Sequence, residues 1–116
     1  MIFKILGYIP SKKNRTIIVS KGGKSWGFNA KQKEINDIIL QLKSQKKEPT
    51  ITEDISVEYD IQCRYRRQDR SNIIATCDDA LAKAKIIEND KQIIQECSVI
   101  KYGIKDPITT ISIKKL

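Results

Sequence analysis

Gln68-Asp69-Arg70-Ser71-Asn72, running on through Cys77-Asp78-Asp79-Ala80-Leu81 to Ile87-Glu88-Asn89-Asp90, decides how the rest of the chain is read. At about 100° per residue, Ile73, Ile74, Cys77, Ala80, Leu81 and Ala84 gather on one side. That predicts a helix over 71–84, with Ser71 or Asp69 as its cap. Asn72, Thr76, Asp79 and Lys83 fall on the opposite face. Asp78 lies toward the edge of the apolar stripe. This is also the only stretch where acidic residues recur at spacings that suggest chemistry. Asp69 follows a run of arginines, Asp79 rides on the helix, and Asp90 lies just beyond it.

Just before this stretch, Ile55, Val57, Tyr59, Ile61 and Cys63 alternate with Ser56, Glu58, Asp60 and Gln62. That is a strand with one core face and one polar face. It runs into Arg64-Tyr65-Arg66-Arg67. Continued alternation puts Arg64 and Arg66 on the polar face, where with Arg67 and Arg70 they suit phosphate. Beyond the helix, Ile86-Ile87 is extended and 88–91 turn-like. Strands are expected over 92–102 and 107–114, the last with Thr109, Ile111 and Ile113 on one face.

At the amino terminus, 2–9 reads as a strand. Phe3, Ile5 and Ile9 share one face and Ile2, Leu6 and Tyr8 the other, so burial on both sides is expected. Pro10 ends it. A basic loop with Lys12, Lys13 and Arg15 follows. Thr16 to Ser20 and Lys24 to Phe28, joined through Gly22-Gly23, read as a basic hairpin with Lys21 and Lys24 at its tip. Trp26 is expected to tie this arm to the core. Residues 29–46 read as a helix capped by Asn29, with Ile35, Ile38, Ile39 and Leu42 as its buried stripe. The order is strand, hairpin, helix, strand, helix, strand, strand. We expect a single α+β domain over 1–116, a mixed sheet with two main helices packed on it.

The chain has 116 residues, a net charge of +8 and a pI near 9.5, so a polyanionic partner is expected, nucleic acid first. No apolar run approaches the roughly 20 residues of a membrane span. The apolar amino terminus lacks a signal-peptide cleavage pattern. A cytoplasmic protein is the expectation. Cys63, Cys77 and Cys97 form no Cys-x-x-Cys pair, and each falls on an expected inward face as a buried free thiol. There is no histidine. That excludes a His general base, a Ser-His-Asp triad and a His–Cys zinc site. Acid–base work falls to Asp, Glu, Lys, Tyr or metal-bound water.

Two carboxylates about 4 Å apart repel by about 4 kcal/mol at an effective dielectric near 20. Gathering Asp69, Asp79 and Asp90 therefore requires protons, Arg or Lys, or a cation. Hard oxygen ligands without His or Cys point to Mg²⁺, with Mn²⁺ as the second choice. Such an ion supplies a nucleophilic water and stabilises charge on a scissile phosphate. The plainer reading of Asp79 and Lys83 is a solvated i, i+4 pair worth about 0.3–0.5 kcal/mol.

Asp69-x-x-Asn72, then Asp79-Ala80-Leu81, then Ile86-Ile87 and Asp90-x-Gln92-Ile93 form an ordered pattern that resembles RusA-type Holliday-junction resolvases. Gly7-Tyr8-Ile9-Pro10-Ser11-Lys12-Lys13-Asn14-Arg15 is similar to that family's opening motif. The likeness spans most of the chain. It implies a small homodimeric endonuclease, often phage- or prophage-encoded, that uses Mg²⁺ to nick paired strands symmetrically at a four-way DNA junction. It also implies that Asp69 and Asp90 fall on two of the catalytic acids. The usual motif is Asp-x-Asp-Asn, and Ser71 stands at its second acid. Ala75 stands where a lysine is common. Asp79 is then the candidate third acid, with Asp78 behind it. Ser71 and Asn72 are supporting groups, and Lys83, Lys12 or Lys13 are candidates for the missing cation. The amino-terminal strand and the exposed faces of the last strands are candidate dimer surfaces. The alternatives are a protein that binds branched DNA without cutting it, and a protein-interaction module.

Overall fold

The computed structural model describes residues 1–10, 16–21, 24–29, 32–65 and 69–116, with 16–21 and 24–29 through their backbone. Strand β1 (Ile2–Leu6) opens the chain. Strands β2 (Thr16–Lys21) and β3 (Lys24–Asn29) follow, then helix α1 (Gln32–Gln45), strand β4 (Ile55–Gln62), helix α2 (Arg70–Lys83), a 3-10 turn (Asp90–Gln92), and strands β5 (Ile93–Lys101) and β6 (Ile108–Lys115). The order and the α+β class expected from the sequence are both found. β2 and β3 pair antiparallel, with Lys21 opposite Lys24. Asn29 is therefore the last residue of a strand opposite Thr16, not the cap of α1.

The main sheet runs β1-β6-β4-β5. β6 is antiparallel to both β1 and β4, while β4 and β5 are parallel. Parallel neighbours need a crossover, and α2 supplies it. One face of the sheet is core. It carries Phe3 and Ile5 of β1, Ile55, Val57, Tyr59 and Ile61 of β4, and Thr109, Ile111 and Ile113 of β6. Helix α1 lays Ile35, Ile38 and Leu42 into this core, and α2 lays Ile73, Cys77, Ala80 and Leu81 there. Among the described residues, nothing packs over the opposite face of the sheet. Ile2 and Leu6, expected to be buried, are 65% and 64% exposed on it. β1 has helix on one side only, so its alternation buries just one of its two apolar sets.

Helix α2 ends in a left-handed turn. Lys85 has φ 61°, its N–H donates to Ala82 O, and Ile86 N–H donates to Leu81 O. This paired arrangement satisfies two orphan carbonyls. Ile86 and Ile87 are thereby turned into the core, and Ile87 bridges to Ile51 in parallel fashion.

The two edges of the sheet differ. On β1, the outward amides are taken by α1. Gln45 Oε1 accepts from Lys4 N–H at 2.9 Å, and Gln45 Nε2 donates to Lys4 O at 2.6 Å. Gln41 makes the same pair with Leu6, at 2.8 and 3.0 Å. Residues one helical turn apart rise about 6 Å, and alternate strand residues are about 6.8 Å apart. The two spacings nearly match, so two side-chain amides stand in for a neighbouring strand. β5 forms the other edge, and no such cover lies over it among the described residues.

The cysteines divide unequally. Cys63 and Cys77 are buried, and burial pushes both thiols up, Cys77 the more strongly. Cys97, expected inward, is exposed. It sits opposite Glu58 on the open face of the sheet. With a thiol-specific reagent near neutral pH, the native protein is expected to react at Cys97 alone. The other two thiols should react only after denaturant is added. Rapid native labelling of Cys63 or Cys77 would contradict this packing.

Candidate functional site

Asp69 is the N-cap of α2. Its Oδ1 accepts the Ser71 N–H at 2.9 Å and the Ser71 hydroxyl at 2.7 Å. A carboxylate here also meets the positive end of the helix dipole. Ser71 thus stands where the resembled motif has an acid, and holds Asp69 by two hydrogen bonds instead of adding charge. Asn72 is half-buried, and its backbone carbonyl accepts from the Thr76 hydroxyl at 3.0 Å. Thr76 is therefore buried, where the helical wheel put it on the polar face. Its inward-bonded hydroxyl lets the side chain fill that space.

Asp79 pairs with Lys83 at 2.9 Å across one helical turn. This is the plainer reading of that pair, and the lysine is half-exposed. Asp90 is an exposed first residue of the 3-10 turn. Among the described residues, no three of Asp, Glu, His or Cys stand close enough to hold a metal ion.

The turn that carries Asp90 is held by a neighbour. Gln92 is buried, and its Oε1 accepts from Glu88 N–H and Asn89 N–H at 2.8 and 2.7 Å. Its Nε2 donates to Ile51 O and Glu53 O, both at 2.8 Å. The amide is thus bonded at both ends, which a buried side chain of this kind requires. The Asn89 side chain closes the other half of a capping box by accepting from the Gln92 backbone N–H, and its Oδ1 also accepts from Lys91 N–H at 2.9 Å. In the sequence, Gln92 drew notice only through its motif. A Gln at the mouth of an apolar strand, three residues after Asn, is the signal for this role.

Asp78 has a role that periodicity did not assign. The Tyr59 hydroxyl donates a short hydrogen bond to Asp78 Oδ1. Burial and the adjacent Asp78 carboxylate push the Tyr59 phenol far above its usual range, and Glu96 adds to this. Tyr59 is on the core face of β4, and a buried phenol needs a partner. Asp78, at the edge of the apolar stripe of α2, is the nearest polar group of that helix able to supply one. Tyr59→Phe is expected to destabilise the fold by about 2 kcal/mol, the worth of a hydrogen bond to a charged group. Urea unfolding reads this directly, and an unchanged midpoint would remove the bond from the account.

Of the basic residues, Arg70 reaches β5. Its guanidinium donates to the Ser98 hydroxyl at 2.8 Å and the Ser98 carbonyl at 3.3 Å. Arg64 is exposed and stacks over the Tyr65 ring, 5.5 Å from its centre. Lys24 lies on β3, and its side chain is outside the description. Lys12, Lys13, Arg15, Arg66 and Arg67 lie outside the described residues, as does the side chain of Trp26. No helix among the described residues is long and apolar enough to cross a membrane.

Protein-family models give no match to this chain, and curated proteins give none.

Proposed function

We propose that the protein is a cytoplasmic, Mg²⁺-dependent endonuclease of branched DNA that works as two copies on a four-way junction. The reading rests on the ordered motif and on the net charge of +8. What supports it most is that both motif ends sit at built positions. Asp69 caps α2 behind the arginine run, and Asp90 stands on the turn pinned by Gln92. Neither acid is needed by the apolar core.

Mg²⁺ is usually bound through one or two carboxylates plus substrate phosphate oxygens, with water completing its shell. A three-carboxylate cage is therefore not required. Asp69 and Asp90 stand beyond opposite ends of α2, about 20 Å of helix apart, so a set of the right hardness would take Asp69, with Asn72 as a neutral oxygen donor, from one copy and Asp90 from the other. When bound, the ion supplies an activated water and offsets charge on the scissile phosphate. The protein's own part is different. Ser71 orients the Asp69 carboxylate, and the turn around Gln92 fixes where Asp90 can stand. Arg64, Arg66 and Arg67, with Lys12, Lys13, Arg15 and Lys24, hold the phosphate backbone, while Arg70 is engaged by Ser98 of β5. Asp79 joins the acids only when its pair with Lys83 opens.

One observation favours a second reading, binding without cutting. Ser71 replaces an acid and spends its hydroxyl on Asp69. A synthetic four-way junction separates the two. The nuclease reading expects paired nicks with Mg²⁺ or Mn²⁺ and none with EDTA. Retained binding with no cut at any metal concentration selects the second reading. In both, log K should fall with log salt at a slope of about −0.9 per phosphate neutralised. A flat salt response would exclude DNA as partner and leave a protein-interaction module.

A further inference from the structure

We infer that the edge of β5, which no strand covers among the described residues, pairs antiparallel with β5 of a second copy, about a two-fold axis at Cys97. This deepens the two-copy part of the proposed function by naming the surface, and its test does not depend on cleavage. The two edges of the sheet are unequal. β1 is closed by Gln41 and Gln45. β5 is nine residues long, lies at the other end of the sheet, and carries exposed Ile94 and Val99. Long edges that carry apolar side chains invite strand addition.

The backbone direction of β5 fixes which residues can pair. Cys63 N–H donates to Lys101 O, so the amides of Lys101, and by alternation of Val99 and Cys97, face β4. Those of Glu96, Ser98 and Ile100 face outward. The Ser98 carbonyl, reached by Arg70, is one of them. Outward residues must meet outward residues, which leaves few two-fold registers. An axis at Glu96 sets the two Glu96 carboxylates against each other. An axis at Ser98 brings the two Arg70 guanidinium groups together. An axis at Cys97 places Glu96 of each copy opposite Ser98 of the other, where Arg70 already sits. Opposite charges then meet twice. The Ser98 carbonyl has two lone pairs, so it can accept from Arg70 and from the second copy's Glu96 N–H. Cys97 faces itself across the axis in a pair of the closer kind, with Cα atoms about 4.5 Å apart.

Two measurements test this. Mild oxidation with diamide at low micromolar protein should give a covalent dimer that Cys97→Ser abolishes. In sedimentation velocity the parent should run as a dimer. Glu96→Arg and Arg70→Glu should each weaken dimerisation at least tenfold, and the combined charge swap should restore it. Far-UV circular dichroism verifies that each variant is folded. A parent that stays monomeric at 100 µM overturns the inference. So does a dimer indifferent to the single changes and the swap, or cross-linking that persists in the folded Glu96→Arg variant. Loss of junction cleavage with this dimer intact would count against the nuclease reading alone.

Discussion

Replacing Gln92 with alanine is expected to destabilise the fold by roughly 3–5 kcal/mol, a large share of the stability of a domain this size. The side chain bonds four backbone groups from two separate stretches, 51–53 and 88–89. Each group left unsatisfied costs about 1–3 kcal/mol when water cannot reach it, and those at the surface cost less. The stretches are the approach to β4 and the entry to β5, parallel neighbours in the sheet. Losing the amide therefore loosens the hydrogen-bonded link between the two strand starts. Gln92→Glu is the sharper variant. It keeps the shape and the acceptor but loses the donor to Ile51 O and Glu53 O, and it buries a charge. Chemical unfolding of both variants checks this. A loss under 1 kcal/mol in both would show that the turn is held by Asn89 and the core alone.

The second large effect concerns Asp69 and Asp90. Asp69→Asn removes a charge but retains a capping oxygen, and Asn caps helices about as well as Asp. Asp90→Asn changes an exposed residue. Both variants should unfold within about 0.5 kcal/mol of the parent. Metal-dependent junction cleavage should nevertheless fall at least about a hundredfold in each, because a neutral amide is a much weaker ligand for Mg²⁺ than a carboxylate. Junction binding should persist. A variant that cuts as fast as the parent takes its residue out of the site. Asp79→Asn is the contrasting case. With the Lys83 pair broken, stability should change by only a few tenths of a kcal/mol.

How far the sequence could be read depends on what each signal measures. Alternation in β4 and β6 and the stripe of α1 report burial on one side, and burial is what those elements show. The same rule failed for β1. An apolar face looks alike whether helix, solvent or another chain covers it, and Ile2 and Leu6 turned out exposed. Cys97 misled for a related reason, because β5 is an edge strand whose faces are poorly covered. The helical wheel of α2 ordered its faces correctly but could not foresee Thr76 or Asp78. Both positions depend on one hydrogen bond each, to Asn72 O and from Tyr59. The acids near the resembled motif were legible as types and spacings. Their partners, Ser71 for Asp69 and Lys83 for Asp79, follow from cap geometry and helical pitch, which local sequence does encode. What cannot be read from spacing is whether distant segments converge.

The glutamine pair along β1 also limits growth. A sheet with two sticky sides can add copies without end and grow into fibres. With Gln41 and Gln45 occupying the β1 side, joining of the main sheet through β5 would stop after a single step. Joining through β5 would then end in a closed pair of fixed size, with the terminator carried in one turn of a helix.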